Sequence, residues 1–293
     1  MEWKTDWGLR GRMFFTMFLL AALYIAFLGV LTLFVESFLV IVVFMSIFLF
    51  VQYFFSDKLA LKSMGARKVE ESEYPELHGM VSRLSQQADL PKPTVAVADT
   101  RTPNAFATGR SKKTATVAVT TGLLQTLDQE EIEGVLAHEL AHVKNRDVMV
   151  MTIASFLSTI AMFILRWGFL FGGGGRNRQG GGAQVMVAIV ASLVVWIVSF
   201  LLIRALSRYR EYAADRGAAA ITGKPAALAS ALMAIDNRMD KVPKEDMRSQ
   251  SEMNAFFIIP LDKGVIARLF STHPSTERRI ERLQQLAGQQ ETA

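Results

Sequence analysis

Residues 128–147 read DQEEIEGVLAHELAHVKNRD, and the interpretation of the whole chain starts from this stretch. Asp128 is followed three residues later by Glu131, which is the layout of a capping box. In such a box each side chain accepts a hydrogen bond from the backbone of the other residue, so that free N–H groups at the start of a helix are satisfied. The sequence therefore predicts a helix that begins here and runs through Arg146.

Within this helix, the segment HELAH places two histidines on one face. His138 and His142 are four residues apart, and side chains with that spacing project in the same direction. Two imidazoles in that geometry can bind one zinc ion, while Glu139 is close enough to accept a proton from a metal-bound water. This HExxH pattern is typical of metalloproteases, and with four His in the chain it arises by chance in only about one chain in a few hundred. The competing interpretation is an exposed, charged helix with incidental histidines.

A third ligand is expected downstream, because a catalytic zinc generally has three protein ligands and an open position for water or substrate. The chain has no cysteine, so we look for a carboxylate or a histidine. The alanine-rich segment SRYREYAADRGAAA at 207–220 supplies Glu211 as the predicted ligand and Asp215 as a carboxylate that fixes a zinc-bound imidazole. Asp147 is assigned the same supporting role. Taken alone, a Glu and an Asp four residues apart beside arginines indicate a solvated helix face with ion pairs; only the combination with HELAH favours ligation.

The last histidine of the chain lies in FSTHPSTERRI, just before a predicted final helix that contains Ile280, Leu283 and Leu286. We predict that His273 reaches the site as an oxyanion stabiliser or as an occasional zinc ligand. Local turn chemistry is the alternative. Arg279 is expected to act similarly or to pair with a carboxylate.

The composition indicates a membrane protein. Of the 293 residues, 51% are hydrophobic and only 20% are charged, which is too apolar for an ordinary soluble domain. Two uncharged runs, at 13–34 and 38–55, are long enough to cross a bilayer. We predict a transmembrane hairpin over 13–55 rather than a cleaved signal peptide, because the first run is too long and no small-residue cleavage site follows it. Basic residues flank the hairpin and are absent from its turn, which places residues 1–12 in the cytoplasm.

Two further apolar runs, at 148–165 and 185–202, are 18 residues each and are separated by a glycine-rich loop at 172–183. Runs of this length are either spans or helices buried against protein. We favour a second spanning hairpin within 148–202, which gives four spans in total.

The segments 56–147 and 203–293 lie outside these runs, on one side of the membrane if both hairpins span. We predict that they fold together as one catalytic domain, discontinuous in sequence and zincin-like, in which the HExxH helix accompanies a small β-sheet. The fold class is then α+β, mainly helical, within a multi-pass membrane protein. The net charge of +5 is attributed to basic residues beside the spans rather than to nucleic-acid binding.

The first of these segments contains two short runs typical of β-strands. They are Thr94–Ala98 (TVAVA) and 114–119 (TATVAV), with PNAFATG in the connection between them. A helix is predicted from Pro75 to about Leu90, with His78 as a surface residue of that helix.

Four motifs in a fixed order, together with the N-terminal spans, resemble the HtpX-type membrane zinc metalloproteases: NAFATG at 104–109, HELAHVKNRD at 138–147, SRYREYAAD at 207–215 and THPSTERRI at 272–280. The match covers nearly the whole chain. The resemblance implies a gluzincin-type site in which His138, His142 and Glu211 bind one zinc ion per subunit. It also implies that Glu139 is the general base.

The same resemblance implies a catalytic domain that faces the cytoplasm from a prokaryotic cell membrane and degrades damaged or misfolded membrane proteins during envelope stress. The partners are then protein or peptide substrates and the lipid bilayer, and the oligomeric state stays open. The NAFATG motif would lie at the cleft edge, where Asn104, Ala105, Phe106 and Ala107 pair with an extended substrate backbone by strand addition.

Three alternatives remain at the level of the sequence. A prenyl-protein CAAX endopeptidase shares the zinc motifs, but four spans argue against its large intramembrane chamber. A non-catalytic membrane adaptor with a structural zinc is disfavoured, because Glu139 is intact and only three ligands can be named. A nucleic-acid binder is weakest, since no basic helix or aromatic-interleaved patch appears outside the juxtamembrane regions. The polar stretch 238–254 is expected to be an ordinary surface loop rather than a mobile lid.

Overall fold

The computed structural model describes residues 6–32, 38–172, 181–239, 258 and 273–291. It divides into two compact units: a sheet unit, formed by residues up to Asp6, Phe55–Met149 and the chain from Ser207 onward, and a helical unit, formed by Trp7–Phe54 and Val150–Leu206. The architecture confirms the predicted α+β, mainly helical class.

The helices of the described residues are α1 (Trp7–Leu31), α2 (Phe38–Ser63), α3 (Pro75–Gln87), α4 (Thr121–Thr126), α5 (Gln129–Asn145), α6 (Asp147–Gly172), α7 (Gly181–Thr222), α8 (Pro225–Met239) and α9 (Thr276–Glu291). The strands are β1 (Ala66–Lys68), β2 (Thr94–Ala98), β3 (Ala105–Thr108) and β4 (Thr116–Thr120).

The helical unit is apolar on its outside as well as in its core. Its core is built from side chains of α1, α6 and α7, namely Leu20, Tyr24, Phe27, Ala154, Ile160, Ala161, Val195 and Leu206. On the outside, Phe14, Ile25 and Leu39 are 76%, 71% and 69% exposed. An apolar exterior of this extent indicates contact with lipid, because water would disfavour it.

Three helical segments of the described residues are long and apolar enough to cross a membrane: Trp7–Val30, Val43–Ser63 and Met186–Thr222. The apolar segment Asp147–Met162 is shorter. The third predicted run thus lies in α6, whose described apolar part falls below the length of a full span. A total of four spans therefore stays a prediction.

The sheet unit is built around a four-stranded mixed sheet with the order β1-β2-β4-β3. β2 and β4 run parallel, with Val95 opposite Val117, and β1 and β3 are antiparallel to their neighbours. The two β-rich runs of the sequence form the adjacent strands β2 and β4. Part of the connection between them forms an additional strand, β3, which occupies one edge of the described sheet.

Helix α5 begins where the capping box predicts it. The Asp128 carboxylate accepts the backbone N–H of Glu131 at 2.9 Å, and the Glu131 carboxylate accepts that of Asp128 at 3.1 Å. The helix ends at Arg146, which has a left-handed backbone with φ of 57°. Near its middle, a Cβ on Gly134 would lie 3.0 Å from the backbone nitrogen of Leu228, so the missing side chain lets α8 pack closely.

Helix α3 forms as predicted, but the expectation for its histidine is wrong. His78 is buried, with 8% of its surface exposed, and its Nε2 lies 3.2 Å from the backbone oxygen of Val69. The polar contact to the chain before the helix explains how a histidine is accommodated there.

Helix α7 joins two features that the sequence presents as separate, since the apolar run 185–202 and the motif 207–220 lie on one continuous helix of 42 residues. The helices α6 and α7 extend into the glycine-rich segment, because Gly172 and residues 181–183 are helical. Residues 173–180 lie outside the described residues, as do residues 240–254 of the stretch expected to form a surface loop.

Candidate metal centre

Three side chains from α5 and α7 converge on one point. Among His138, His142 and Glu211, one ligand atom from each lies within 4.8 Å of the others. The two Nε2 atoms are 3.1 Å apart, and the Glu211 carboxylate oxygens lie 3.6 Å from Nε2 of His138 and 3.5 Å from Nε2 of His142. The i, i+4 spacing on α5 therefore brings both imidazoles together, as the sequence predicts, and α7 delivers the carboxylate.

The imidazole of His138 contacts the carboxylate of Asp215, which in turn is hydrogen-bonded to Arg279. The Asp215 Oδ1 lies 3.0 Å from the Nδ1 of His138, which leaves the Nε2 facing the other two ligand atoms. Arg279 donates to both Asp215 oxygens, from Nη2 at 2.7 Å and from Nε at 3.0 Å. A two-point contact of this kind fixes the plane of the carboxylate and hence the orientation of the ring.

The same arrangement occurs behind His142. Its Nδ1 lies 2.6 Å from Oδ2 of Asp147, and the Nη2 of Arg210 lies 2.9 Å from the same oxygen. Asp215 and Asp147 thus each lie within hydrogen-bond distance of a ring nitrogen, which is the position that the supporting role proposed from the sequence requires. Arg210 was not predicted, because an arginine next to Glu211 in a charged helical motif resembles a solvated residue. It is buried, at 6% exposure, and its contact with Asp147, far earlier in the chain, leaves no signal in the local sequence.

Glu139 lies near the three candidate ligands, since the charges of His142, His138 and Glu211 all act on its carboxyl. It is buried, with 5% of its surface exposed, and its carboxylate accepts the backbone N–H of Ala107 in β3. Burial raises the pKa of Glu139, while the neighbouring His142 and His138 oppose the shift. A carboxyl with a raised pKa exchanges protons more readily near neutral pH than an exposed one.

The predicted contact between the last histidine and the site is present in the structure. His273 is buried, and its Nδ1 lies 3.1 Å from Oε2 of Glu211. The guanidinium of Arg279 lies 3.4 Å from the same oxygen through Nη1. Both residues of the THPSTERRI motif thus face the carboxylate of α7.

The residues of the NAFATG motif have two different environments. Asn104 is buried and bonded to other parts of the chain, whereas Ala105–Thr108 form the edge strand β3. Asn104 is fully buried, and its Oδ1 accepts the backbone N–H of Ile258 at 3.0 Å. Its backbone pairs with Thr120, which donates its N–H to the Asn104 carbonyl at 2.9 Å. Because outward and inward groups alternate along a strand, Ala105 and Ala107 direct their backbone groups away from β4. The backbone of Phe106 faces β4, where it pairs with Ala118, and the residue is buried.

The two histidines differ in their affinity for protons. Burial alone would lower the pKa of His138, but hydrogen bonds to Asp215 and Glu211 outweigh it and raise the pKa to about 9. Burial, assisted by the charge of His138, lowers the pKa of His142 to about 4. At neutral pH the metal-free site therefore carries a proton on His138 and keeps His142 neutral.

The buried charges fit a divalent cation. The carboxylates of Glu139, Asp147, Glu211 and Asp215 and the guanidinium groups of Arg210 and Arg279 are all buried. With His138 protonated, four negative against three positive groups leave one negative charge in the metal-free site, and release of that proton leaves two, which is costly in a region screened from water unless a cation compensates them. Two imidazoles and one carboxylate are also the ligand types that zinc accepts in hydrolases. The ligand types and the excess negative charge therefore both fit a divalent cation such as zinc.

The chain is similar to known proteins over most of its length. The family model described as "Peptidase family M48" matches residues 71–287. Protease HtpX homolog 2 of Methanosarcina mazei is 58% identical over 288 residues, which are 97% of this chain and 97% of that protein. Protease HtpX homolog of Moorella thermoacetica is 55% identical over 292 residues, covering 98% and 97% of the two chains.

A solved structure shares the fold at low sequence identity. The crystal structure of S. mikatae Ste24p superposes with a TM-score of 0.54 at 19% identity, covering 90% of this chain and 62% of that one. The match shows that the two chains share a fold.

Proposed function

Since the chain belongs to peptidase family M48, we propose that it is a zinc endopeptidase that hydrolyses peptide bonds of misfolded or damaged membrane proteins. The family and the apolar helices make it a membrane metalloprotease that acts on peptides or proteins. Zinc as the metal, the role of each site residue, the substrate class and the cytoplasmic orientation belong to the proposal. The observation that carries it is the convergence of His138, His142 and Glu211 beside the buried Glu139.

In this mechanism His138, His142 and Glu211 hold the metal. When bound, zinc supplies a Lewis acid for the scissile carbonyl and a water of lowered pKa. The Glu139 carboxylate takes the proton of the attacking water and delivers it to the leaving amine. The N–H of Ala107 directs that carboxylate toward the site, because it fixes one of its oxygens.

The edge strand offers the substrate a backbone template. Ala107 is partly exposed and its backbone faces away from β4, so an extended peptide can add to β3 at this position in the manner of an extra strand. The Ala107 N–H is held by Glu139, which leaves the Ala107 carbonyl to pair with the peptide and places that peptide directly beside the base. His273, anchored through Nδ1 to Glu211, is assigned the stabilisation of the developing oxyanion through its second ring nitrogen.

The test is proteolysis of an unfolded model substrate by detergent-purified protein, with zinc or with chelator. Glu139→Gln should retain zinc, measured by elemental analysis, and lose at least about 100-fold in kcat. Glu130→Gln is the matched control, because it makes the same change on an exposed turn of α5. Equal turnover in wild type and Glu139→Gln would indicate a contaminating protease and would favour the non-catalytic adaptor over the peptidase.

Two further measurements test the finer parts of the proposal. In proteoliposomes, a destabilised membrane protein should be cleaved faster than its folded form, whereas a preference for a farnesylated CAAX peptide would support the prenyl-endopeptidase alternative. Orientation can be read by chemical labelling, because the chain has no cysteine and a single Lys113→Cys is a unique target. Labelling from the cytoplasmic side alone is expected.

A further inference from the structure

A cavity that opens to solvent lies beside His142; its empty volume of about 320 Å³ includes the solvent at its mouth, and its exposed walls are mainly apolar. It is bordered by the end of β3, the turn that follows it and the junction between α5 and α6. Three cationic side chains line it: Arg110, Lys112 and Arg146. We propose that this cavity is a substrate subsite that binds a carboxylate of the peptide close to the scissile bond. The inference rests on the proposed peptidase function and specifies its substrate preference.

The charge of the cavity is positive after its own acid is counted. Asp147, its acidic lining residue, is already paired with His142 and Arg210. Arg110 lies 3.7 Å from the carboxylate of Asp57. Within the described part of the chain, no carboxylate lies within 4 Å of Lys112 or Arg146. These two cations therefore provide the charge that a ligand carboxylate can neutralise.

The backbone that carries these cations is well defined. Gly109 has φ of 124°, and a Cβ there would lie 2.6 Å from the carbonyl oxygen of Thr114. The turn is closed by the N–H of Thr114, which donates to the Ser111 carbonyl at 3.1 Å. Lys112 lies at the tip of this turn and is half-buried. A fixed turn presents its cation without the entropy cost of ordering a flexible loop.

The position of the cavity favours a peptide as the ligand. Its lining includes Ala107 and Thr108 of the edge strand as well as His142, a proposed metal ligand. A peptide paired with β3 advances about 3.3 Å per residue, and alternate side chains point to the same side. A side chain one or two residues from the scissile bond can therefore enter the cavity. An anionic lipid headgroup would have no need of the edge strand or of the metal ligand.

Two kinds of peptide carboxylate have the required chemistry, namely an Asp or Glu side chain and a free C-terminus. Quenched fluorescent peptides distinguish them when Glu, Gln or Lys is placed at each of three positions on either side of the cleavage site. Each peptide is made with a free and with an amidated C-terminus. The full-length protein is assayed in neutral detergent and again in nanodiscs containing anionic phosphatidylglycerol.

In the wild type, Glu at one position near the scissile bond, or a free C-terminus, should raise kcat/KM about tenfold over the neutral peptide, mainly through KM. Lys112→Glu should abolish this preference or reverse it in favour of Lys, and Lys112→Gln should reduce it without reversal. Lys113→Glu is the matched control, because Lys113 is the exposed neighbour and does not line the cavity. It should behave as the wild type.

The outcomes separate this inference from the proposed function. Zinc-dependent cleavage with no charge preference, or a preference unchanged by Lys112→Glu and Arg146→Glu, overturns the carboxylate subsite and leaves the peptidase intact. A Lys112→Glu effect confined to nanodiscs with anionic lipid also overturns it, since the cations would then serve the membrane. If the wild type cleaves none of the peptides, the proposed peptidase function itself is contradicted.

Discussion

Replacing Asp215 with Asn is expected to weaken zinc binding and, more informatively, to flatten its dependence on pH. In the metal-free site the burial of His138 is outweighed by hydrogen bonds to Asp215 and Glu211, which raise its pKa to about 9. Zinc needs the unprotonated Nε2 of that ring, so the proton and the metal compete. Below pH 9 the proton is bound and must be released, and affinity therefore rises as the pH approaches 9.

The size of the effect follows from the pKa. At pH 7, two units below about 9, the affinity should be about 100-fold weaker than its limit at high pH, or about 3 kcal/mol. The logarithm of the apparent affinity should rise by about one per pH unit up to pH 9. His142 adds nothing to this slope, because burial lowers its pKa to about 4. In Asp215→Asn the anionic acceptor is gone while Arg279 remains, so the pKa of His138 falls and the slope ends at a lower pH than in the native site.

The assay is competition with a chromophoric chelator of known zinc affinity, at intervals from pH 6 to 9.5. It is best made in a Glu139→Gln background, which removes a buried carboxyl of raised pKa from the proton count and prevents self-cleavage. Calorimetry at pH 7 in two buffers of different ionisation enthalpy should show release of about one proton in this background and clearly less in Asp215→Asn.

Asp147→Asn is the matched control, since it removes the equivalent carboxylate behind the other histidine. Loss of either carboxylate is expected to weaken zinc binding by about 10–100-fold, so the affinity at one pH does not discriminate between them. The slope does, because Asp147 contacts His142, whose ring is already neutral and has no competing proton to release. A slope of one that survives in Asp215→Asn, or disappears in Asp147→Asn, would show that His138 does not hold the competing proton.

Three further substitutions test the packing around the site. Arg279→Lys keeps the charge but loses the two-point contact to Asp215. The free energy of unfolding in detergent should fall by about 2–4 kcal/mol, and zinc should bind more weakly. An unchanged midpoint of denaturation would contradict a stabilising role of these two hydrogen bonds. Asp128→Ala should cost about 1 kcal/mol at the exposed start of α5 and leave kcat unchanged. Gly122→Ala should destabilise the sheet unit strongly, because its Cβ would overlap the backbone carbonyl oxygen of Arg101, and a thermal midpoint equal to that of the wild type would refute the clash.

The parts of the site that the sequence predicts are those encoded locally. A capping box acts over three residues, so the start of α5 at Asp128 is legible without any knowledge of the fold. The shared direction of His138 and His142 follows from helix geometry alone. Glu211 required one additional step, namely the chemical need of a zinc site for a third ligand in a chain without cysteine.

The parts that the sequence does not predict depend on distant partners. β3 was not predicted as a strand, because AFAT is short and its stability comes from pairing with β4 rather than from its own propensity. His78 was assigned to the surface, although contact with the chain at Val69 buries it. Arg210 has the sequence context of a solvated residue, although in the structure it is buried and pairs with Asp147 at the start of α6. In each case the decisive contact joins residues far apart in the sequence or in separate elements.

The contacts of Ile258 explain why motifs far apart in the sequence act on one site. Its backbone N–H is accepted by Asn104 of the NAFATG motif, and its backbone carbonyl accepts Nη1 of Arg279 from the final helix. The same guanidinium holds Asp215 and so orients His138. A substitution at Asn104, which does not itself contact the metal ligands, should therefore alter metal binding through Ile258 and Arg279. Residues joined in this way do not contribute independently, and their substitutions should combine non-additively, unlike changes at distant positions of the same fold.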